Sequence, residues 1–131
     1  MKEFFVGQTA TISKVFTQDE VIAFSELSLD KNPAHLDEDF AKDTIFGRRI
    51  VHGFLSGSLI SAIIGTQLPG NGTIYLHQDM DFRKPVYVGE LLTAQVKVVG
   101  IKPEKSILYL ETKCFNSQGD VAIEGSAVVK V

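Results

Sequence analysis

Three things are scarce in this sequence. There is one cysteine, Cys114, among 131 residues. A lone cysteine excludes an intrachain disulfide and any zinc site built on cysteines, and it fits a reducing, cytoplasmic setting. Basic charge is not in surplus: 13 Lys and Arg stand against 16 Asp and Glu, a formal net charge of −3. General binding to nucleic acid needs a basic face, so no nucleic acid partner is expected. Long apolar runs are also missing. The densest stretch, Gly53 to Gly65, is interrupted by Ser56, Ser58 and Ser61 and falls short of the ~20 residues that cross a bilayer. Met1 to Gly7 is too short, and too soon broken by glycine, to act as a signal peptide. No membrane partner is expected either.

What is present reads as an ordinary globular chain, 44% hydrophobic and 22% charged. The length predicts one domain over residues 1–131, burying roughly two-thirds of its unfolded surface. Gln8 to Phe16 reads as a first strand. Thr17 and Glu20 have the spacing of a capping box, and Val21, Ile22, Phe24 and Leu27 give the helix that follows an apolar face. Asp37 is a second N-cap candidate, with Phe40 and Ala41 on the inner side of a short helix. Ile50 to Gln67 is apolar or small on nearly every side, the mark of a buried helix. From Thr73 the period switches to two. Strands are predicted over Ile74–Phe82, Leu92–Ile101, Ile107–Phe115 and Val121–Val131. Their tight turns make them antiparallel. One small sheet cannot cover such a helix completely, so a second copy of the chain is expected.

Between the first helix and Asp37 lies Leu29-Asp30-Lys31-Asn32-Pro33-Ala34-His35-Leu36. Pro33 fixes its own φ and pushes Asn32 toward an extended conformation. A turn of this kind can aim Asp30 and His35 at one point, and a carboxylate with an imidazole makes a general acid–base pair. An Asp near a His in a loop is by itself more often a solvated turn.

The stretch Asp30-Lys31-Asn32-Pro33-Ala34-His35, with Phe24 before it and Ala41 after it, resembles the R-specific enoyl-CoA hydratases of the MaoC-like hot-dog superfamily. The likeness continues through Ile50-Val51-His52-Gly53, Ser61, Leu68 to Gly72, and Phe82 to Glu90. Leu29 stands where many members have glycine. The resemblance implies an α+β hot-dog fold: an antiparallel sheet of about five strands in the order 1-3-4-5-2, wrapped round one long central helix. A short helical overhang would carry the catalytic loop.

It also implies hydration of trans-2-enoyl-CoA to (R)-3-hydroxyacyl-CoA, and the reverse dehydration, by a cytoplasmic homodimer that needs neither a cofactor nor a metal. Asp30 and His35 would hold the water, Asp30 taking its proton. Gly53, at the start of the central helix, would offer a backbone N–H to the thioester oxygen, since a helix N-terminus favours negative charge. Ser61, Asn32, Val51 and His52 join the candidate substrate pocket. Asn32 also reads as a turn former, and His52 as a helix cap or a packed residue. Arg48, Arg49, Arg83 and Lys84 are candidates for the CoA phosphates. Two competing readings use the same fold. One is a 3-hydroxyacyl-carrier-protein dehydratase of fatty-acid synthesis. The other is a thioesterase or acyl-CoA binding protein, although hot-dog thioesterases commonly use a carboxylate on the central helix and none lies between Gly53 and Gln67.

Overall fold

The computed structural model describes residues 3–131. Met1 and Lys2, the first residues of the segment weighed above as a leader, lie outside the described residues. Six strands form one antiparallel sheet: β1 (Thr9–Val15), β2 (Ile74–Gln78), β3 (Asp81–Phe82), β4 (Leu91–Lys102), β5 (Ile107–Phe115) and β6 (Val121–Lys130). The order is β1-β4-β5-β6-β2, with β3 also paired to β6. This is the hot-dog path that the sequence suggested, with one difference. The strand expected over Ile74–Phe82 is two pieces. The β2–β6 register slips between Tyr75 and His77, and at Gly125 the chains come so close that a Cβ there would sit 2.0 Å from the Asp79 carbonyl oxygen.

Alternation fixes the sheet's inner face. Leu92, Ala94, Val96 and Val98 of β4 are buried, as are Leu108, Leu110 and Cys114 of β5. These pack under α4 (Gly53–Thr66), which contributes Leu55, Leu59, Ile60, Ile63 and Ile64. Each such aliphatic side chain contributes about 1.5–3 kcal/mol on full burial. The helix is not buried on every side, however. Phe54, Ser58, Ser61 and Gly65 form an exposed stripe at helical spacing, and Phe54 is 70% exposed. The β2 edge strand is exposed as well, at Ile74, Tyr75 and Leu76.

Three helices bridge β1 to α4: α1 (Gln18–Ser28), α2 (Pro33–Leu36) and α3 (Glu38–Ala41). The capping box forms as expected: Glu20 N donates to Thr17 Oγ1 at 3.2 Å and Thr17 N donates to Glu20 Oε1 at 3.0 Å. Asp37 caps α3 through Asp39 N and Phe40 N. The apolar faces differ from the periodic reading. Val21 is buried, but Ile22, Leu27 and Phe40 are exposed. Spacing places a residue on a face; it does not supply the surface that covers it. Among the described residues, no helix is long and apolar enough to cross a membrane.

Candidate active site

The site is built where α1 ends. Leu29 closes α1 in the left-handed region, φ 70°. This conformation strains any residue with a Cβ. The turn it makes points Asp30 away from the helix. Asp30 N donates to Ser28 Oγ at 3.1 Å, and Asp30 Oδ1 accepts from Asn32 N at 3.3 Å. Asn32 is extended, as the following proline demands. Its Oδ1 accepts from Ala34 N at 3.0 Å, capping α2. Asn32 is thus committed to the turn. Pro33 at the first helical position lacks only an N–H that would have had no helical partner.

One turn later His35 is buried, and its Nδ1 lies 2.8 Å from the Ile50 carbonyl oxygen. A carbonyl only accepts, so Nδ1 carries the proton and Nε2 is left with a lone pair. Below it lies His52, 1% exposed. The two imidazoles stack with centroids 3.9 Å apart, and Phe24 meets His52 edge-on at 4.8 Å. His52 Nε2 is 3.2 Å from the Asp30 carbonyl oxygen and 2.9 Å from Ser25 Oγ. By the same logic Nε2 carries the proton, which leaves Nδ1 as a buried acceptor without a partner. Burial, and then the neighbouring His35, hold the His52 pKa below its ordinary value. It is the neutral imidazole that packs here.

The donor atoms of Asp30, His35 and His52 lie within 4.8 Å of one another. Such a spacing admits a cation, through the Asp30 carboxylate and one nitrogen of each imidazole. Stacked rings, however, send their in-plane lone pairs side by side rather than toward a common centre. The arrangement suits a water held between carboxylate and imidazole better than an ion.

Gly53 begins α4, where the first amides have no intrahelical partner. It borders a cleft of about 480 Å³ together with Phe24, Ser28, Asp30, Phe54 and Phe82. A Cβ at Gly53 would lie 2.6 Å from the Phe82 ring, so glycine is required for this approach. On the far side of Gly53 and Phe82 is a second hollow of about 290 Å³, walled by Phe46, Ile50, Val51, Pro85 and Val86, with Arg83 and Lys84 also along it.

The other expected site residues separate. His52 is no cap, for its side chain makes no capping bond to α4, and it lies beneath His35 rather than along the cleft. Val51 is buried and donates its N–H to Val86 O at 2.8 Å. Ser61 faces a groove of about 510 Å³ with Gly57, Tyr75, Leu76 and Met80. Phe24 and Phe54 border both this groove and the Asp30 cleft. Three of the four basic candidates already hold carboxylates: Arg49 with Glu38 at 2.7 Å, Arg83 with Asp81 and Glu124, and Lys84 with Asp120 at 3.2 Å. Arg48 instead lies over the Tyr87 ring, 4.0 Å from its centroid. Ser25, Ser28 and the Ile50 carbonyl were invisible in the sequence as site members. Only the folded chain brings Ser25 and the Ile50 carbonyl to the two histidines and Ser28 to the Asp30 amide.

The model of the MaoC like domain matches residues 6–115. The chain belongs to the MaoC-like domain family. This MaoC-like chain is 50% identical to an (R)-specific enoyl-CoA hydratase of Aeromonas caviae over 126 residues, 96% of this chain and 94% of the other. It is 46% identical to an (R)-specific enoyl-CoA hydratase of Rhodospirillum rubrum over 125 residues, 95% of this chain and 86% of that one. The solved (R)-hydratase from A. caviae involved in PHA biosynthesis superposes with a TM-score of 0.98 at 48% identity, covering 100% of this chain and 99% of its own.

Proposed function

We propose that this MaoC-like protein hydrates trans-2-enoyl-CoA to (R)-3-hydroxyacyl-CoA and catalyses the reverse dehydration. The observation that carries the proposal is the closeness of Asp30 to His35, whose Nδ1 is occupied and whose Nε2 is free to accept, with Asp30 and Gly53 bordering one cleft. Water lies between the Asp30 carboxylate and His35 Nε2. Asp30 takes a proton as the oxygen bonds to C3, and the C2–C3 π electrons move toward the thioester oxygen. That oxygen gains negative charge, which the Gly53 N–H and the start of α4 stabilise. The enolate collapses as C2 receives the proton through the Asp30–His35 pair. The sum is H and OH across one double bond, with both catalytic groups restored. Dehydration runs the same path backward.

The acyl chain lies along the apolar cleft between Phe24 and Phe54 toward Ser61, and the CoA end leaves on the side of Arg48. Arg48 is the best placed of the four cations to meet a phosphate. Glu90, the carboxylate nearest to it in charge, is already held by the Tyr87 and Ser117 amides. The working unit is a homodimer, closed over the β2 edge and the exposed stripe of α4. The setting is the cytoplasm.

The decisive experiment is a spectrophotometric assay with crotonyl-CoA followed by chiral analysis. Loss of enoyl absorbance with an R product is the expected result. An S product, or no hydration, overturns the proposal. Running the same assay with a crotonyl carrier-protein thioester distinguishes the carrier-protein dehydratase, which would prefer that substrate.

A further inference from the structure

Asp30 is fastened mostly to its own neighbourhood. Its hydrogen bonds are to Ser28 and Asn32, each two residues away, and to His52, twenty-two residues away. Two-residue bonds shape a turn but do not place that turn relative to the rest of the protein. His52 alone among these partners belongs to another element, at the start of α4. The same ring underlies His35 by stacking. One side chain therefore touches both members of the acid–base pair and sits immediately before Gly53 in the chain. It gives nothing to the helix end that it occupies, where Ser, Thr, Asp or Asn would normally cap. Its Nδ1 is buried without a partner, a cost that an apolar ring of similar size would avoid. A position that neither caps its helix nor satisfies both of its ring nitrogens is kept for something other than stability.

We propose that His52 is a positioning residue for the hydration reaction, fixing the Asp30 main chain through Nε2–H and the plane of His35 through ring stacking, so that carboxylate and imidazole share one water. This rests on the hydratase reading above. Placement errors of an ångström in a catalytic pair cost about 10²-fold in rate, and they appear in kcat, because the acyl and CoA contacts that set substrate affinity lie elsewhere. Ser25 Oγ, 2.9 Å from the same nitrogen, keeps the His52 ring from turning, and Phe24 closes its edge.

The test compares two neutral amides. In His52→Gln the amide nitrogen reaches the place of Nε2 and retains the bond to Asp30 O; in His52→Asn it falls short. Wild-type kinetics with crotonyl-CoA come first, because an inactive wild type rejects the hydratase reading itself. Given an active wild type, His52→Asn should lose about 30- to 100-fold in kcat with KM changed less than about twofold. His52→Gln should recover most of that loss. Both proteins should melt within a few degrees of wild type. A His52→Asn enzyme with wild-type kcat overturns the proposal, as does a loss carried by KM or a His52→Gln enzyme no better than His52→Asn. If His52→Asn does not fold, Ser25→Ala reads the same device, since it frees the His52 ring without touching Asp30 or His35. It should lower kcat about threefold to tenfold at constant KM, and unchanged kcat there overturns the proposal.

Discussion

At the start of α4, side chains from three elements pack together. Ser25 comes from α1, His35 from α2, and His52 from the segment leading into α4. Along the outer stripe of the same helix, Phe54, Ser58, Ser61 and Gly65 are exposed, and the neighbouring β2 edge leaves Tyr75 and Leu76 uncovered. One end of the helix finishes its chemistry within a single chain, while the outer face is left to be covered. The contrast teaches that the Asp30–His35 cluster and the groove along α4 have different requirements. The first is set by hydrogen bonds within the chain, the second by what closes over it.

The largest effect should come from breaking the finished end. Asp30→Asn and His35→Ala should each lower kcat by about 10²–10⁴ with little change in melting temperature. A variant keeping more than a tenth of wild-type kcat would remove that residue from the mechanism. The unfinished face is tested by charge. Leu76→Glu on the β2 edge should weaken self-association at least tenfold by placing a carboxylate in an apolar contact. Light scattering at micromolar concentration should then give the chain mass for the variant and twice that mass for wild type. A monomeric wild type with full activity would show that the groove needs no cover.

Ser61 lies between the two regions. It lines the groove that shares Phe24 and Phe54 with the Asp30 cleft. Ser61→Ala should reduce kcat/KM by the value of one hydrogen bond, about 1 kcal/mol or fivefold, and wild-type kinetics would leave the serine as mere packing. Leu29→Gly is a smaller change in the opposite direction. Leu29 is 79% exposed in the left-handed region, so glycine relieves strain and uncovers little. Stability should rise by about 1 kcal/mol, read as a higher denaturant midpoint at unchanged slope.

The smallest effect concerns pH. The His52 pKa is lower folded than unfolded. As pH falls below the ordinary value of about 6.5, the unfolded chain therefore takes up a proton that the folded site refuses. Stability from this residue is full above that pH and is lost on acidification. His52→Gln lacks the group, so its melting temperature should fall less than that of wild type between pH 7.5 and 5. Parallel curves would show that His52 carries no such linkage.

Much of this was legible from spacing. The capping box at Thr17 and Glu20, the period-two strands and the turn at Asn32-Pro33 all rest on local chemistry, which a sequence displays directly. The strand order came through resemblance and matches the sheet observed; the approach of Asp30 to His35 was already suggested by that turn. What escaped depends on tertiary contact. Ile22, Leu27, Phe40 and Phe54 have the right periodicity, yet this chain leaves them exposed. The strand break before β3 depends on the close approach of Asp79 to Gly125, which no local pattern announces. Arg49, Arg83 and Lys84 are cations in the sequence and halves of ion pairs in the fold. His52 could be read as a cap or as a packed residue; it is packed, and its partners are distant in sequence.

Cys114 lies at the inner face of β5, and burial pushes its thiol up to about 12. At neutral pH the thiol therefore stays protonated, and only the thiolate attacks. A protein that handles activated thioesters all day risks capturing the acyl group on its own sulfur. Here that exchange is closed by depth alone: the chain can carry a cysteine beside its core helix without becoming an acyl acceptor, and it should keep its activity in the presence of alkylating reagents.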